Sequence, residues 1–323
     1  MTELLSWQSV LHRITKSRVE RQRLADDLGV TPTTLMRWVN GESNPQRPHL
    51  IRLVQVSHGQ QRQDLLRALE EEYPHIQSWM KDDASQQIPS SFFAQVLNTR
   101  ATITEPLRFS RISDMVLTQA LAQLDPKRFG MAVALVQCMP PSRGGKIRSL
   151  RERVGKGTPP WSMDLNQLSS LLGMETLAGH CVEVRHIVNV NDLSKDQVIP
   201  AYKMEHEMSA AAHPIWFGGR IAGCLLASST QIGHFTQQRL ALLETFSDLL
   251  SLALDKTDFY PTNLIELRVM PYPNEQSEVL ATFRQRTQNN LRKPEIHNLM
   301  QAELKAWQEI EDILLDLPQP DES

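Results

Sequence analysis

Thr33, Thr34 and Arg37 fall on one side of the run 31–41, in which Leu35, Trp38 and Val39 recur at helical spacing on the other. Short hydroxyls beside one arginine on an exposed helix face can hydrogen-bond base edges in a major groove. Two glycine–lysine segments, Gly144-Gly145-Lys146 and Gly155-Lys156-Gly157-Thr158, suggest phosphate cradles. Neither has the upstream glycine of Gly-x4-Gly-Lys-Ser/Thr, so a hairpin turn and a flexible sheet-edge loop are the better readings. His206-Glu207-Met208-Ser209-Ala210 lacks the second histidine of a zinc-binding helix, which would stand at Ala210. Glu205, His206 and Glu207 therefore read first as an exposed polar patch, and second as ligand contacts. Cys138 and Cys224 lie in apolar runs, where a thiolate is disfavoured, whereas Cys181 follows His180. All three read as small buried hydrophobes before redox groups. No catalytic or metal-ligating set is read from the chain.

The elements that must position these groups follow from spacing. Leu24, Leu28 and Val30 anchor a first helix, Gly29 ends it, Thr31 caps a second helix and Pro32 suits that helix's first turn. The run 60–73 is helical with Leu65, Leu66 and Leu69 on one side, and the polar stretch 84–91 reads as a linker. Ile112, Met115, Val116, Ala120 and Leu124 form a helical stripe over 109–124. Strands are expected at 130–138, 147–154 and 186–190, with a short helix at 166–172. The segment 213–228 reads as a tight hairpin turning at Gly218-Gly219. The helix 237–256 is apolar along two sides, Leu240, Leu243, Leu250 and Leu254 on one and Leu242, Phe246, Leu249 and Ala253 on the other. One face can cover a sheet, and the other asks for a helix from a second subunit. The proline-bounded run 264–270 is a candidate for an added strand. The amphipathic run 295–317 packs on the preceding domain or pairs with its copy, packing being favoured.

Two resemblances rest on these residues. Residues ~10–57 resemble the lambda-repressor-like (XRE) helix-turn-helix family, through Arg21 to Gly29, Thr31 to Gly41, Arg47-Pro48, and Leu50, Leu53 and Val54. The resemblance implies phosphate contacts from Arg21 and Asn40 and base reading by Thr33, Thr34 and Arg37, with Thr31 and Arg47 counted among the DNA-binding residues. Pro32 stands where relatives often carry a base-reading glutamine, and Glu42 is acidic where a cation would help. Residues ~108–256 resemble a GAF domain, through Gly179, the strand 186–190 with Asp192-Leu193, Ser209 before Pro214-Ile215, Gly223-Cys224-Leu225 and Phe235-Thr236. That resemblance implies an antiparallel central sheet, a small-molecule or protein-sensing role and dimerisation through the outer helices. It also implies a pocket lined by Trp161, His180, Cys181, Asp192, Tyr202 and His206. Some GAF folds reduce free methionine sulfoxide with cysteines, and related domains attach tetrapyrroles, although no motif here demands a cofactor.

Bulk properties bound the rest. The 323 residues carry 34 Lys and Arg against 37 Asp and Glu, unevenly placed. Residues 1–62 hold nine cations against five anions, a charge of +4, while the segment from Glu295 is acidic. A basic head fits a polyanion partner. Three cysteines make no disulfide framework, no apolar run approaches the roughly 20 residues that span a bilayer, and Met1 opens onto no signal-like segment. The expected fold class is α+β multidomain: an all-α helix-turn-helix head over 1–58, a helical connector over 59–107, a GAF-like antiparallel sheet with flanking helices over 108–257, and an acidic helical extension over 258–323. The expected function is a cytoplasmic, sequence-specific transcriptional regulator that binds double-stranded DNA as a homodimer. Its GAF-like domain would sense a small molecule or partner and control dimer geometry. A protein-interaction scaffold and a cysteine-dependent reductase are the alternatives.

Overall fold

The computed structural model describes residues 6–57, 59–76, 87–165, 170–195 and 203–317. The chain divides into two compact units, residues 1–87 and 88–323.

In the first unit, α1 (Trp7–Ile14), α2 (Arg18–Leu28), α3 (Pro32–Val39), α4 (Arg47–Val56) and α5 (Gly59–Glu72) enclose one core. Trp7, Leu11, Leu24, Leu35, Leu53, Leu65 and Leu69 are fully buried within it. Gly29 takes the left-handed conformation (φ 68°) that stops α2. Thr31 Oγ1 accepts from the Thr34 amide at 3.2 Å, and Pro32 occupies the first turn of α3, as the sequence predicts. The Trp7 indole donates to Glu72 at 2.7 Å, tying α5 to α1. Residues 59–107, read as one connector, thus divide between two cores: Leu65, Leu69 and Ile76 lie in the first, and Val96 in the second.

The second unit is built on a curled antiparallel sheet. Its strands are β1 (Met131–Cys138), β2 (Leu150–Gly157), β3 (Leu171–Leu172), β4 (Val188–Val190), β5 (Ser209–Phe217) and β6 (Arg220–Ser229), in the order β3-β2-β1-β6-β5-β4. The two-residue period of β1 sends Met131, Val133 and Leu135 to one face and Ala134, Val136 and Cys138 to the other. On the first face lie α6 (Ser90–Thr102), α7 (Glu105–Leu124) and α9 (Gln237–Leu250); on the second lies α8 (Leu177–Val184). After α9 come α10 (Pro273–Ala281), α11 (Phe283–Leu291) and α12 (Leu299–Asp316), the last packing Trp307, Ile310 and Leu314 against Met139, Leu171 and Met270. This is packing of the amphipathic run on its own unit. The hairpin turns at Gly218-Gly219 as expected, with φ of 57° and 74°.

Several expectations are corrected. The helix read over 237–256 ends at Leu250 and tightens into a 3-10 turn, Ser251–Ala253. Its second apolar face is covered within the chain: Phe246, Leu249 and Ala253 share a core with Ile112, Val116 and Ala120 of α7. Gly155, Lys156 and Gly157 are no flexible loop but lie within β2, where Lys156 pairs with Asp114 of α7 at 2.7 Å. Of the short helix read over 166–172, Leu171 and Leu172 instead form β3 against Leu150 and Arg151, and 166–169 lie outside the described residues. Within the run 264–270, Ile265 bridges Ile147 without extending the sheet further.

Candidate functional site

A cavity of about 370 Å³ opens in the second unit beside β2 and the N-terminus of α8. Ala132, Ala134, Val154, Leu172, Leu177 and Leu226 make its wall apolar, and Trp161 and His206 also line it. The volume lies at the small end of the ~300–1,000 Å³ typical of small-molecule sites. Three carboxylates line this largely apolar space, the exposed Glu205 and two that are withdrawn from water, Glu152 and Glu207. Glu152 stands two residues after Leu150 on β2, so the strand period places it on the inward face. Glu207 precedes β5 and is buried; its Oε1 accepts from Ser228 Oγ at 2.5 Å and its Oε2 from the Met204 amide at 2.9 Å. Burial raises the Glu207 carboxyl above its ordinary range against the opposing pull of those two donors. Burial and, secondarily, the Glu207 charge push Glu152 up to about 7. Among the described residues, no hydrogen-bond or ion-pair partner meets the Glu152 carboxyl.

Of the predicted pocket residues, Trp161 and His206 line this cavity. His180, Cys181 and Asp192 do not, and Tyr202 lies outside the described residues. Cys181 is fully buried on the inner side of α8, its thiol directed to the His186 carbonyl at 3.6 Å. Asp192 accepts from the Ser194 amide at 3.1 Å and meets Lys195 at 3.0 Å, closing the turn after β4. Glu207, read as part of an exposed patch, is buried; Glu205 and His206 are exposed. Sequence reasoning missed Glu152, whose only signal was a carboxylate at an inward position of a strand. All three cysteines are buried; burial raises Cys138, and the hydrogen bond between the Cys181 and Cys224 thiols, then burial, raises Cys224. None of them lines the cavity.

In the first unit, Thr33, Arg37 and Asn40 of the α3 segment are exposed, as are Thr31 and Arg47, while Thr34 is half-buried. Glu42 lies against this face: its carboxylate is 3.9 Å from Arg37 Nε and accepts from Asn40 Nδ2 at 3.0 Å. Arg21 is half-buried and donates from Nε to the Thr15 carbonyl at 3.2 Å, tying α2 to the end of α1.

The family model of the GAF domain matches residues 109–255. A GAF domain occupies this part of the chain. Its cavity fits the small-molecule sensing or regulatory role that such a domain suggests. The type II free methionine-R-sulfoxide reductase of Thermoplasma acidophilum is 18% identical, covering 46% of this chain and 94% of its own, with a TM-score of 0.34. The GAF domain of the Acinetobacter phosphoenolpyruvate-protein phosphotransferase is 16% identical over 50% of this chain and 90% of its own, with a TM-score of 0.34. The free methionine-R-sulfoxide reductase of Neisseria meningitidis, in complex with its substrate, is 17% identical over 46% and 84%, with a TM-score of 0.32. No curated protein matches the chain. Among the described residues no helix is long and apolar enough to cross a membrane.

Proposed function

We propose that the chain is a sequence-specific DNA-binding regulator whose GAF domain senses a small molecule. The carrying observation is the exposed face of α3, where Thr33, Arg37 and Asn40 project from a helix whose opposite side, Leu35, Trp38 and Val39, is buried. The left-handed Gly29 and the Thr31 cap fix how this helix follows α2, which is what a recognition helix requires. In this reading Thr33, Thr34 and Arg37 read bases, while Arg21, Thr31, Asn40 and Arg47 hold phosphate and sugar. A charge of +4 over residues 1–62 gives a single head few counterions to release, which favours binding as a homodimer on two half-sites.

Fluorescence anisotropy on genomic fragments across a salt series tests the reading. Arg37→Ala is expected to relax base preference at a discrimination loss of ~1–3 kcal/mol, whereas Arg21→Ala weakens all sequences alike. Equal losses for both variants on specific and random DNA would refute Arg37 as a base reader. Absence of any salt-dependent binding would leave α3 as a protein-interaction face. The burial of all three cysteines and their absence from the cavity wall support sensing over a cysteine-dependent reductase.

A further inference from the structure

We infer that the GAF-domain cavity takes a small organic cation, an amine or amidinium on a short apolar body, an inference that rests on the sensing role proposed for that domain. Three carboxylates, Glu152, Glu205 and Glu207, line a largely apolar cavity that Arg153 and His206 also border. The Arg153 guanidinium is engaged: it donates to Gln137 Oε1 at 2.9 Å and lies 4.7 Å from the centre of the Phe109 ring. Lys203 donates to the Leu193 carbonyl at 3.3 Å. His206 sits exposed with its Nε2 3.6 Å from the Glu205 carboxylate, itself 89% exposed. The N-terminus of α8, which would otherwise favour an anion, is met by the Thr176 cap and followed back to the buried Glu175 carboxylate. The lining therefore carries three carboxylates, Glu152, Glu205 and Glu207, against one guanidinium, that of Arg153, with Lys203 acting on Glu207 from nearby.

A carboxylate withdrawn from water in such a space, as Glu207 is almost fully and Glu152 in part, either keeps its proton or waits for a counter-charge. No group of three or more His, Cys, Asp or Glu side chains suited to a metal converges among the described residues, which favours an organic cation over a metal ion. Trp161 adds an aromatic face of the kind that attracts ammonium groups. The titratable and charged groups around Glu152 are Glu207, Glu205, His206, Arg153 and the buried Cys224 thiol, with Lys203 acting on Glu207, and Glu152 itself changes charge near pH 7. Cation binding should therefore release a proton and strengthen as Glu152 ionises.

Calorimetric titration of the full chain with n-butylammonium and phenethylammonium, against butyrate and n-butanol, tests this at pH values below and above neutrality. The ammonium probes are expected to bind, more tightly at the higher pH. Glu152→Gln, isosteric and checked for an unchanged melting cooperativity, should lose about tenfold or more in affinity. Binding of butyrate or butanol with no preference for ammonium, lost in a cavity-filling Ala132→Leu variant, would overturn the cation and keep the sensor. Unchanged ammonium affinity in both Glu152→Gln and Glu207→Gln would overturn it equally. If no probe of any charge binds, and native mass spectrometry finds the purified chain empty, the sensing role falls with it.

Discussion

Glu152 is the side chain whose protonation the fold changes most usefully. Its folded pKa of about 7 lies above the ordinary 4.5, so between these values the folded state holds a proton that the unfolded chain releases. The stability associated with that proton is full below pH ~4.5 and is lost as pH rises through ~7. Glu152→Gln should therefore stabilise the unliganded chain by ~1–3 kcal/mol near pH 8 and by little near pH 5, read as urea midpoints at the two pH values. At the other end of the chain, Glu42 engages Arg37 and Asn40, both proposed DNA contacts, through an exposed pair worth at most ~1 kcal/mol. Glu42→Gln should tighten DNA binding several-fold while leaving the melting temperature unchanged, as measured by anisotropy and thermal denaturation. Unaltered affinity would show that Glu42 does not compete with phosphate. The Thr31 cap was legible because capping is local in sequence. Glu152 was not, because its role arises only when β2 meets a cavity built from distant segments.

At the scale of elements, α12 is fastened through one buried carboxylate. Glu311 is fully buried, and accepts from Ser149 Oγ at 2.5 Å, Arg148 Nη2 at 2.8 Å and Ser142 Oγ at 2.8 Å. Arg148 also reaches Asp312 of the same helix at 2.5 Å. Glu311→Ala leaves Arg148 paired with Asp312 but strips the buried Ser149 and half-buried Ser142 hydroxyls of their acceptor, so it should cost ~1–3 kcal/mol in urea denaturation. A loss below ~1 kcal/mol would mean that water replaces the carboxylate and α12 is held by Trp307 and Ile310 alone. On β6, Gly223 adopts φ 144°, and an added Cβ would overlap the Val136 carbonyl oxygen of β1. Gly223→Ala should destabilise the second unit by more than ~3 kcal/mol, whereas Gly219→Ala in the open hairpin turn should lose only ~1 kcal/mol. The hairpin was readable from two adjacent glycines. The end of α9 at Leu250 was not, because apolar spacing continues through Leu254 although the backbone no longer follows it.

At the scale of the whole molecule, the two units have separate cores, Trp7 to Ile76 in one and Val96 to Leu314 in the other. Scanning calorimetry is accordingly expected to resolve two transitions, with DNA raising one and an ammonium ligand the other through mass action. A single transition shifted equally by both would show that the units unfold together. The sequence by itself determined what depends on neighbours along the chain: the α2–α3 turn and cap, the β5–β6 hairpin and the polarity of the helices. These follow from backbone preferences and hydrophobic period, which are local properties. Only the tertiary structure decided what covers a face and what faces a cavity. It covered the second side of α9 with α7, where spacing alone suggested a partner subunit. It kept Trp161 and His206 at the cavity while placing Cys181 in the core and Asp192 in a turn. It also brought Glu152 and Glu207, 55 positions apart in the chain, to one apolar space. Burial and charge proximity are properties of folded space, and they give the second unit an acidic cavity that no local pattern announced.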